Sequence, residues 1–338
     1  MTETMDTKAA IESLEKIKIE IARVFIGQKL LVEHSIISLL AEGHLLVEGV
    51  PGLGKTLLVR ALAKTIGGES RRIQFTPDLM PSDITGNIML DVQAGKFITR
   101  KGPVFTNILI ADEINRAPAK TQAALFEAMQ EFQVSLDGTE YPLPKPFMVL
   151  ATQNPFEHEG TYPLPDAQKD RFLMKLLINY PNEEEEKEMA EKILSKRSGA
   201  ELSLEEVNQA VSTEEFIAIK NLVSQVRIDP AIIDYAVRLT SATRSSALSS
   251  NIETGAGPRG TLALIRCARG KALLENRDFI IPDDIKAMAV PVLMHRINLS
   301  AESSLEGLNE VMAVENLVSQ VPVPFMDDEK DGIMGENS

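Results

Sequence analysis

Cysteine is nearly absent from this chain, with Cys267 the single example. That excludes a disulfide framework and a Cys-rich metal site, and it fits a reducing, cytoplasmic setting. Cys267 sits in the apolar run Leu262-x-x-Ile265-x-Cys267 and reads as a small core residue. Long apolar runs are missing as well. No stretch of about 18 apolar residues occurs, so no membrane span is expected; Glu42 and His44 interrupt the best candidate. The start, Met1 to Ala10, is polar and mixed in charge, unlike a secretory signal. Positive charge is in deficit: 35 Lys and Arg stand against 49 Asp and Glu, a net charge of -14. Non-specific binding to nucleic acid or anionic lipid is therefore disfavoured, although a local basic patch stays possible. What is present is 338 residues, 44% of them apolar, enough for a sizeable core and for two domains.

One stretch organises the rest. It runs His44-Leu-Leu-Val-Glu-Gly49-Val50-Pro51-Gly52-Leu53-Gly54-Lys55-Thr56. Leu45 to Val47 reads as a buried strand, and Leu57 to Ala63 as a helix. Strand, Gly-x-x-x-x-Gly-Lys-Thr loop and helix in that order form a phosphate-binding P-loop. Its backbone N–H groups and the positive end of the helix suit the phosphates of ATP. Residues Gly49 to Leu57 are the candidate nucleotide-binding run. Lys55 can reach the β- and γ-phosphates, and the Thr56 hydroxyl can hold Mg²⁺. Asn107-Ile-Leu-Ile-Ala-Asp112-Glu113 is a second buried strand, its carboxylates emerging where α/β sheets bind ligands. Asp112 can hold the Mg²⁺ shell, and Glu113 can orient and polarise an attacking water. Phe147 to Pro155 is a third such strand, and the Asn154 amide at its end could hydrogen-bond the γ-phosphate or the water.

Around these, the pattern predicts a helix over 6–22, from Ile11, Leu14, Ile17 and Ile21, and a second over about 28–42. Between them Val24-Phe25-Ile26-Gly27-Gln28 is a tight apolar turn. It either packs on the adenine or simply joins two helices. Arg72 to Phe75 reads as a strand. Residues 87–100 and 132–145 read as hairpins, the second around Asp137-Gly138. Leu164 to Phe172 reads as a short helix with Arg171 near its end. Tyr180-Pro181-Asn182 reads as a boundary, beyond which the chain looks all-helical. Ser212 to Glu215 is a capping box, Asp229-Pro230 an N-cap with Pro behind it, and Gly255 to Arg259 opens a helix. The expected domains are 1–180, 181–326 and an acidic disordered tail at 327–338.

Four segments carry a resemblance: Phe75-Thr-Pro-Asp-Leu-Met-Pro-Ser-Asp-Ile-Thr-Gly86, Ala111-Asp-Glu-Ile-Asn-Arg-Ala-Pro118, Thr121-Gln-x-x-Leu-x-Glu-Ala-Met-Gln-Glu131 and Leu164-Pro-Asp-Ala-Gln-x-Asp-Arg-Phe172. Over about residues 15–320 the chain resembles the MoxR family of AAA+ ATPases. These belong among AAA+ proteins with one hairpin inserted in helix 2 and another before the sensor-1 strand. The resemblance implies an α/β fold: a P-loop parallel-sheet core with helices on both faces, and a smaller C-terminal all-helical lid. It makes Asn154 sensor 1, Arg171 an arginine finger reaching a neighbouring subunit's ATP, and Arg259 sensor 2. Arg116 competes for the interface role. It places Ile26, Gly27 and Gln28 at the adenine. It also implies a homo-oligomeric ring, as a hexamer, and a chaperone-like role with a von Willebrand factor A domain partner. A nucleic-acid motor is the main competitor. It would line its pore with basic or aromatic residues, whereas the 132–145 hairpin tip is Asp137-Gly-Thr-Glu140. A small-molecule kinase leaves Asn154, Arg171 and the lid unexplained, and a non-catalytic switch leaves Glu113 without a task.

Overall fold

The computed structural model describes residues 6–49, 52–91, 95–154, 161–194 and 204–324. The expected tail at 327–338 lies outside them. Helix α1 (Thr7–Ala22) forms on the predicted stripe, and Ala10, Leu14, Ile17 and Ile21 are its buried residues. Helix α2 (Lys29–Leu40) is buried without a break from His34 to Leu40. Strand β1 (Leu45–Gly49) leads through the glycine loop into α3 (Lys55–Thr65). Strand β2 (Ser70–Gln74), the single turn α4 (Pro81–Thr85) and the ribbon β3 (Gly86–Asp91) and β4 (Lys96–Lys101) follow. Next come β5 (Ile108–Asp112), α5 (Ala119–Glu131), a second ribbon of β6 (Gln133–Leu136) and β7 (Thr139–Pro142), β8 (Met148–Gln153), the short α6 (Asp166–Lys169) and β9 (Met174–Ile178).

Five strands make one parallel sheet in the order β2-β5-β8-β1-β9. The sequence pattern predicts four of them. The fifth, β9, is a short apolar run broken by Lys175, whose ammonium pairs with Glu48 at 2.6 Å. Leu45, Leu46 and Val47 are all fully buried. Successive strand residues point to opposite faces, so both faces of β1 are covered. On one face Leu46, Leu109, Ala111, Val149 and Ala151 join Leu125, Phe126 and Met129 of α5 in a single core. His44 pins the entry to β1. The Val149 amide donates to its Nδ1 at 3.0 Å, so Nε2 carries the proton and donates to the Met129 carbonyl at 2.8 Å. Phe132 and Phe147 flank the ring with centroids 5.8 Å away.

The compact unit built on this sheet does not end at Tyr180. It spans Met1–Val226 and Arg269–Asp278, and a second unit takes Arg227–Ala268 and Phe279–Ser338. Helices α7 (Glu183–Leu194) and α8 (Thr213–Val223) therefore belong to the first unit, contrary to the boundary expected from composition. Tertiary hydrogen bonds hold this stretch there. Lys64 Nζ donates to the Leu204 carbonyl at 2.8 Å, and the amides of Ala210 and Val211 donate to the Thr65 carbonyl at 2.8 and 3.1 Å. Lys220 pairs with Glu42 at 2.6 Å. The capping box at α8 is closed both ways: Ser212 N donates to Glu215 Oε2 at 2.6 Å and Glu215 N to Ser212 Oγ at 3.2 Å.

The second unit holds α9 (Pro230–Ala242), β10 (Ile252–Thr254), α10 (Pro258–Leu274) up to Ala268, α11 (Pro282–Leu293), β11 (Asn298–Leu299), α12 (Ala301–Leu305) and α13 (Glu310–Gln320). It is helical as expected, with one correction. Strands β10 and β11 form a small antiparallel ribbon, too short for any alternation to betray it. Cys267 is fully buried in this unit, as are Tyr235, Leu239 and Leu264. Among the described residues, no helix is long and apolar enough to cross a membrane.

Candidate active site

In the order β2-β5-β8-β1-β9 the chain leaves β1 on one side for β2 and comes back on the other for β9. Open parallel sheets bind ligands at such a reversal, beyond the carboxyl ends of the strands. There Gly49 from β1, Asp112 at the end of β5 with Glu113 just beyond it, and Gln153 at the end of β8 with Asn154 just beyond it line one cleft of about 270 Å³. Gly52, Leu53, Gly54, Lys55, Thr56, Arg72, Gln74 and Thr152 complete its wall.

Two glycines explain the loop's path. A Cβ on Gly49 would collide with the Ile178 carbonyl of β9, so only glycine lets the two strands run this close. Gly54 has φ 72° and caps α3, with Phe25 Cε2 3.1 Å from where its Cβ would stand. The first amides of α3 lack partners within the helix, and its positive end lies at the cleft. Lys55 Nζ meanwhile donates to the Gly49 carbonyl at 3.3 Å. Burial pulls the Lys55 ammonium below its usual pKa, while Asp112 and Glu113 pull it back up.

The carboxylates are held by a connected network. Glu113 has φ 56°, a left-handed conformation that costs a non-glycine residue about 1–3 kcal/mol. Thr152 on β8 secures it: its hydroxyl accepts from the Glu113 amide at 2.9 Å and donates to Asp112 Oδ1. Arg72 donates to Asp112 Oδ2 from Nε at 3.0 Å and from Nη2 at 2.6 Å. The same Nη2 donates to Gln74 Oε1 at 2.7 Å, and Gln74 Nε2 donates to Glu113 Oε2 at 2.6 Å. Arg116 Nη1 also donates to Glu113 Oε2, at 2.9 Å.

Of the residues singled out from sequence, Gly49, Gly52, Leu53, Gly54, Lys55, Thr56, Asp112, Glu113 and Asn154 come together in the cleft. Val50 and Pro51 lie outside the described residues. Leu57 is half-buried in α3 and is not part of the wall. Ile26 and Gly27 line a neighbouring, more apolar cavity of about 350 Å³ together with Phe25. Gln28 caps α2 with φ 47°. Arg171 is exposed and outside the wall; its Nη1 donates to the Phe126 carbonyl at 3.2 Å, with the guanidinium 5.9 Å from the Phe126 ring centre. Arg259 is the second residue of α10, exposed, in the second unit. Sequence reasoning missed Arg72 and Gln74. Their one signal is the polar alternation of Arg72 and Gln74 with Ile73 and Phe75, and only the register of β2 on β5 shows where it leads.

Comparison with known proteins agrees in both units. Residues 44–174 match the model of the ATPase family associated with various cellular activities (AAA), and residues 244–316 match that of an AAA lid domain. The chain is 41% identical over 322 residues to Chaperone MoxR1 of Mycobacterium tuberculosis, covering 94% of this chain and 84% of the other. It is 34% identical over 301 residues to Protein MoxR of Methylorubrum extorquens, covering 83% and 86%. Its fold is similar to the crystal structure of a candidate ATPase from Cytophaga hutchinsonii, with a TM-score of 0.87, 41% identity, and 94% and 97% of the two chains covered.

Proposed function

The chain belongs to the MoxR family of AAA+ ATPases, and from that premise we propose that it hydrolyses Mg²⁺–ATP to drive chaperone-like remodelling of a protein partner. The observation that carries the reading is the cleft, where a lysine, a hydroxyl, two carboxylates and an amide converge from three strand ends. Thr56 and Asp112 offer the hard oxygen donors that Mg²⁺ takes, and that ion, when bound, supplies neutralisation of phosphate charge. The loop amides and the start of α3 receive the phosphates, and Lys55 reaches toward the outermost ones.

Hydrolysis then needs a water aligned against the γ-phosphorus. Its oxygen bonds to phosphorus as the bond to the ADP oxygen breaks. Glu113 takes the water's proton. Gln74 and Arg116 both occupy Glu113 Oε2, so Oε1 is the oxygen left to act as base. Asn154 orients the water or the γ-phosphate. Arg171, which is not part of the wall of its own cleft, serves that of a neighbouring copy in a homo-oligomeric ring, a hexamer by family likeness. Arg259 takes the sensor-2 role that family likeness gives it, and Ile26, Gly27 and Gln28 meet the adenine. The remodelling role rests on the relative called a chaperone, and the partner of stated class is a von Willebrand factor A domain protein, in the cytoplasm.

The test pairs Lys55→Ala with Glu113→Gln, reading nucleotide affinity and phosphate release separately. Losing a charge-assisted contact should weaken ATP binding by about 10-fold or more in Lys55→Ala. Glu113→Gln should bind ATP as the unmodified protein does, while turnover falls by about 10²-fold or more. Unchanged turnover in Glu113→Gln sinks the assignment of that carboxylate.

A further inference from the structure

Asp112 already has a cation. Arg72 stands two residues before the level of Asp112 on the neighbouring strand: β2 and β5 pair Arg72 with Ile110 and Gln74 with Asp112. Its side chain runs forward along the strand to close that gap, and both Nε and Nη2 converge on Asp112 Oδ2. The other oxygen, Oδ1, is taken by the Thr152 hydroxyl. The carboxylate expected to serve the metal is thus fully engaged by protein donors, one of them a full positive charge. Arg72 lines the same cleft as Lys55. Its side chain keeps 51% of its surface in solvent, whereas that of Asp112 keeps 21%. An ion pair with a guanidinium so exposed is weak enough to exchange.

We propose that Arg72 is the exchangeable counter-ion of Asp112: without metal its charge offsets the carboxylate and so favours the incoming phosphates, and it must release the carboxylate for Mg²⁺ to bind. The proposal rests on the Mg²⁺–ATP reading of the cleft. Its physical content is competition. A guanidinium and a dication repel each other and seek the same carboxylate, so binding one opposes keeping the other. Without metal, Arg72 and Lys55 supply positive charge among the described residues of the cleft wall, against Asp112 and Glu113, as the phosphates enter. With metal, the cost of detaching Arg72 is charged against metal affinity. Arg72 therefore weakens the coupling between Mg²⁺ and nucleotide, raising affinity in the metal-free state and lowering the gain that metal brings. A positioning role of this kind differs from that of Lys55, which favours the phosphates in both states.

The measurement is equilibrium binding of a fluorescent ATP analogue, in EDTA and across a Mg²⁺ titration, with the full chain and with Arg72→Ala and Arg72→Lys. In Arg72→Ala, affinity in EDTA should fall by roughly two- to fivefold and the Mg²⁺ midpoint should drop by a similar factor, the size of one exposed ion pair. The ratio of affinities with and without Mg²⁺ should then rise. Arg72→Lys keeps the charge and should stay closer to the unmodified protein. General damage to the cleft would lower both affinities together and leave their ratio unchanged, and that result overturns the proposal. So does a ratio that falls. Failure of the unmodified chain to bind the analogue under either condition overturns the ATPase reading itself, and this one with it.

Discussion

Cys267 has no exposed surface, and burial pushes its thiol up to about 12, with Arg266 and Arg296 pulling the other way without offsetting it. At pH 8 roughly 1 thiol in 10⁴ would then be ionised, and the thiolate is the reactive species. A chromogenic disulfide reagent at pH 8 should detect no thiol in the folded protein and a full equivalent once guanidinium unfolds it. Rapid reaction of the folded protein would mean that the core of the second unit opens readily. The same physics acts at Lys55. There burial also favours the neutral form, but Asp112 and Glu113 counter it. At the thiol, burial outweighs two nearby cations; at the half-buried lysine, burial outweighs two nearby carboxylates, which limit the fall.

Of the three ribbons described, β3–β4 and β6–β7 bear on the choice between the protein and nucleic-acid readings. In β6–β7 the turn has Asp137 at φ 49° and Gly138 at φ 76°, the two positive values a type I′ hairpin requires, and it projects Asp137 and Glu140. In β3–β4 every residue of β4 is exposed, and Lys96, Arg100 and Lys101 stand with Phe97, which is 76% exposed. That ribbon is anchored at its base, where Ile88 packs on the core and Thr99 Oγ1 lies 3.0 Å from the Tyr141 hydroxyl of the second ribbon. Basic and aromatic side chains on β4 are what a nucleic-acid motor would use, and they favour that reading. Against them stand the acidic second ribbon and a chain-wide net charge of -14. Single-stranded DNA at about 150 mM salt should therefore not raise phosphate release above the level without DNA. Stimulation of several-fold would reverse the order of the two readings.

At the scale of the whole molecule, the role proposed for Arg171 implies a second copy. Arg171 lies outside the wall of its own cleft and bonds to the Phe126 carbonyl instead. A trans-acting arginine can contribute about 10³–10⁵ in rate to phosphoryl transfer. Arg171→Ala should thus bind ATP nearly as the unmodified chain does and lose most turnover, and turnover per subunit in the unmodified chain should rise with concentration. Mixing Arg171→Ala with Lys55→Ala should restore part of the activity, because some interfaces then pair an intact P-loop with an intact arginine. If mixed rings form and nothing returns, Arg171 is not that residue. Arg116, now bonded to Glu113 at 2.9 Å, becomes the next to examine.

The features readable in the chain alone are those whose physics closes within a few residues. The P-loop, the Asp112-Glu113 strand end, the stripe of α1, the Ser212 box and the Asp137-Gly138 turn each carry their own donors, acceptors or backbone angles in one short stretch. Tertiary structure alone decided the others. β9 became a strand because β1 offered it an edge, where Gly49 admits the Ile178 carbonyl. The first unit ran on to Val226 because Thr65, Lys64 and Glu42 hold partners more than a hundred residues away. Arg72, Gln74 and Thr152 entered the site through the register of parallel strands. That register is set by the packing of side chains from distant parts of the chain on both faces of the sheet, and no local pattern encodes it.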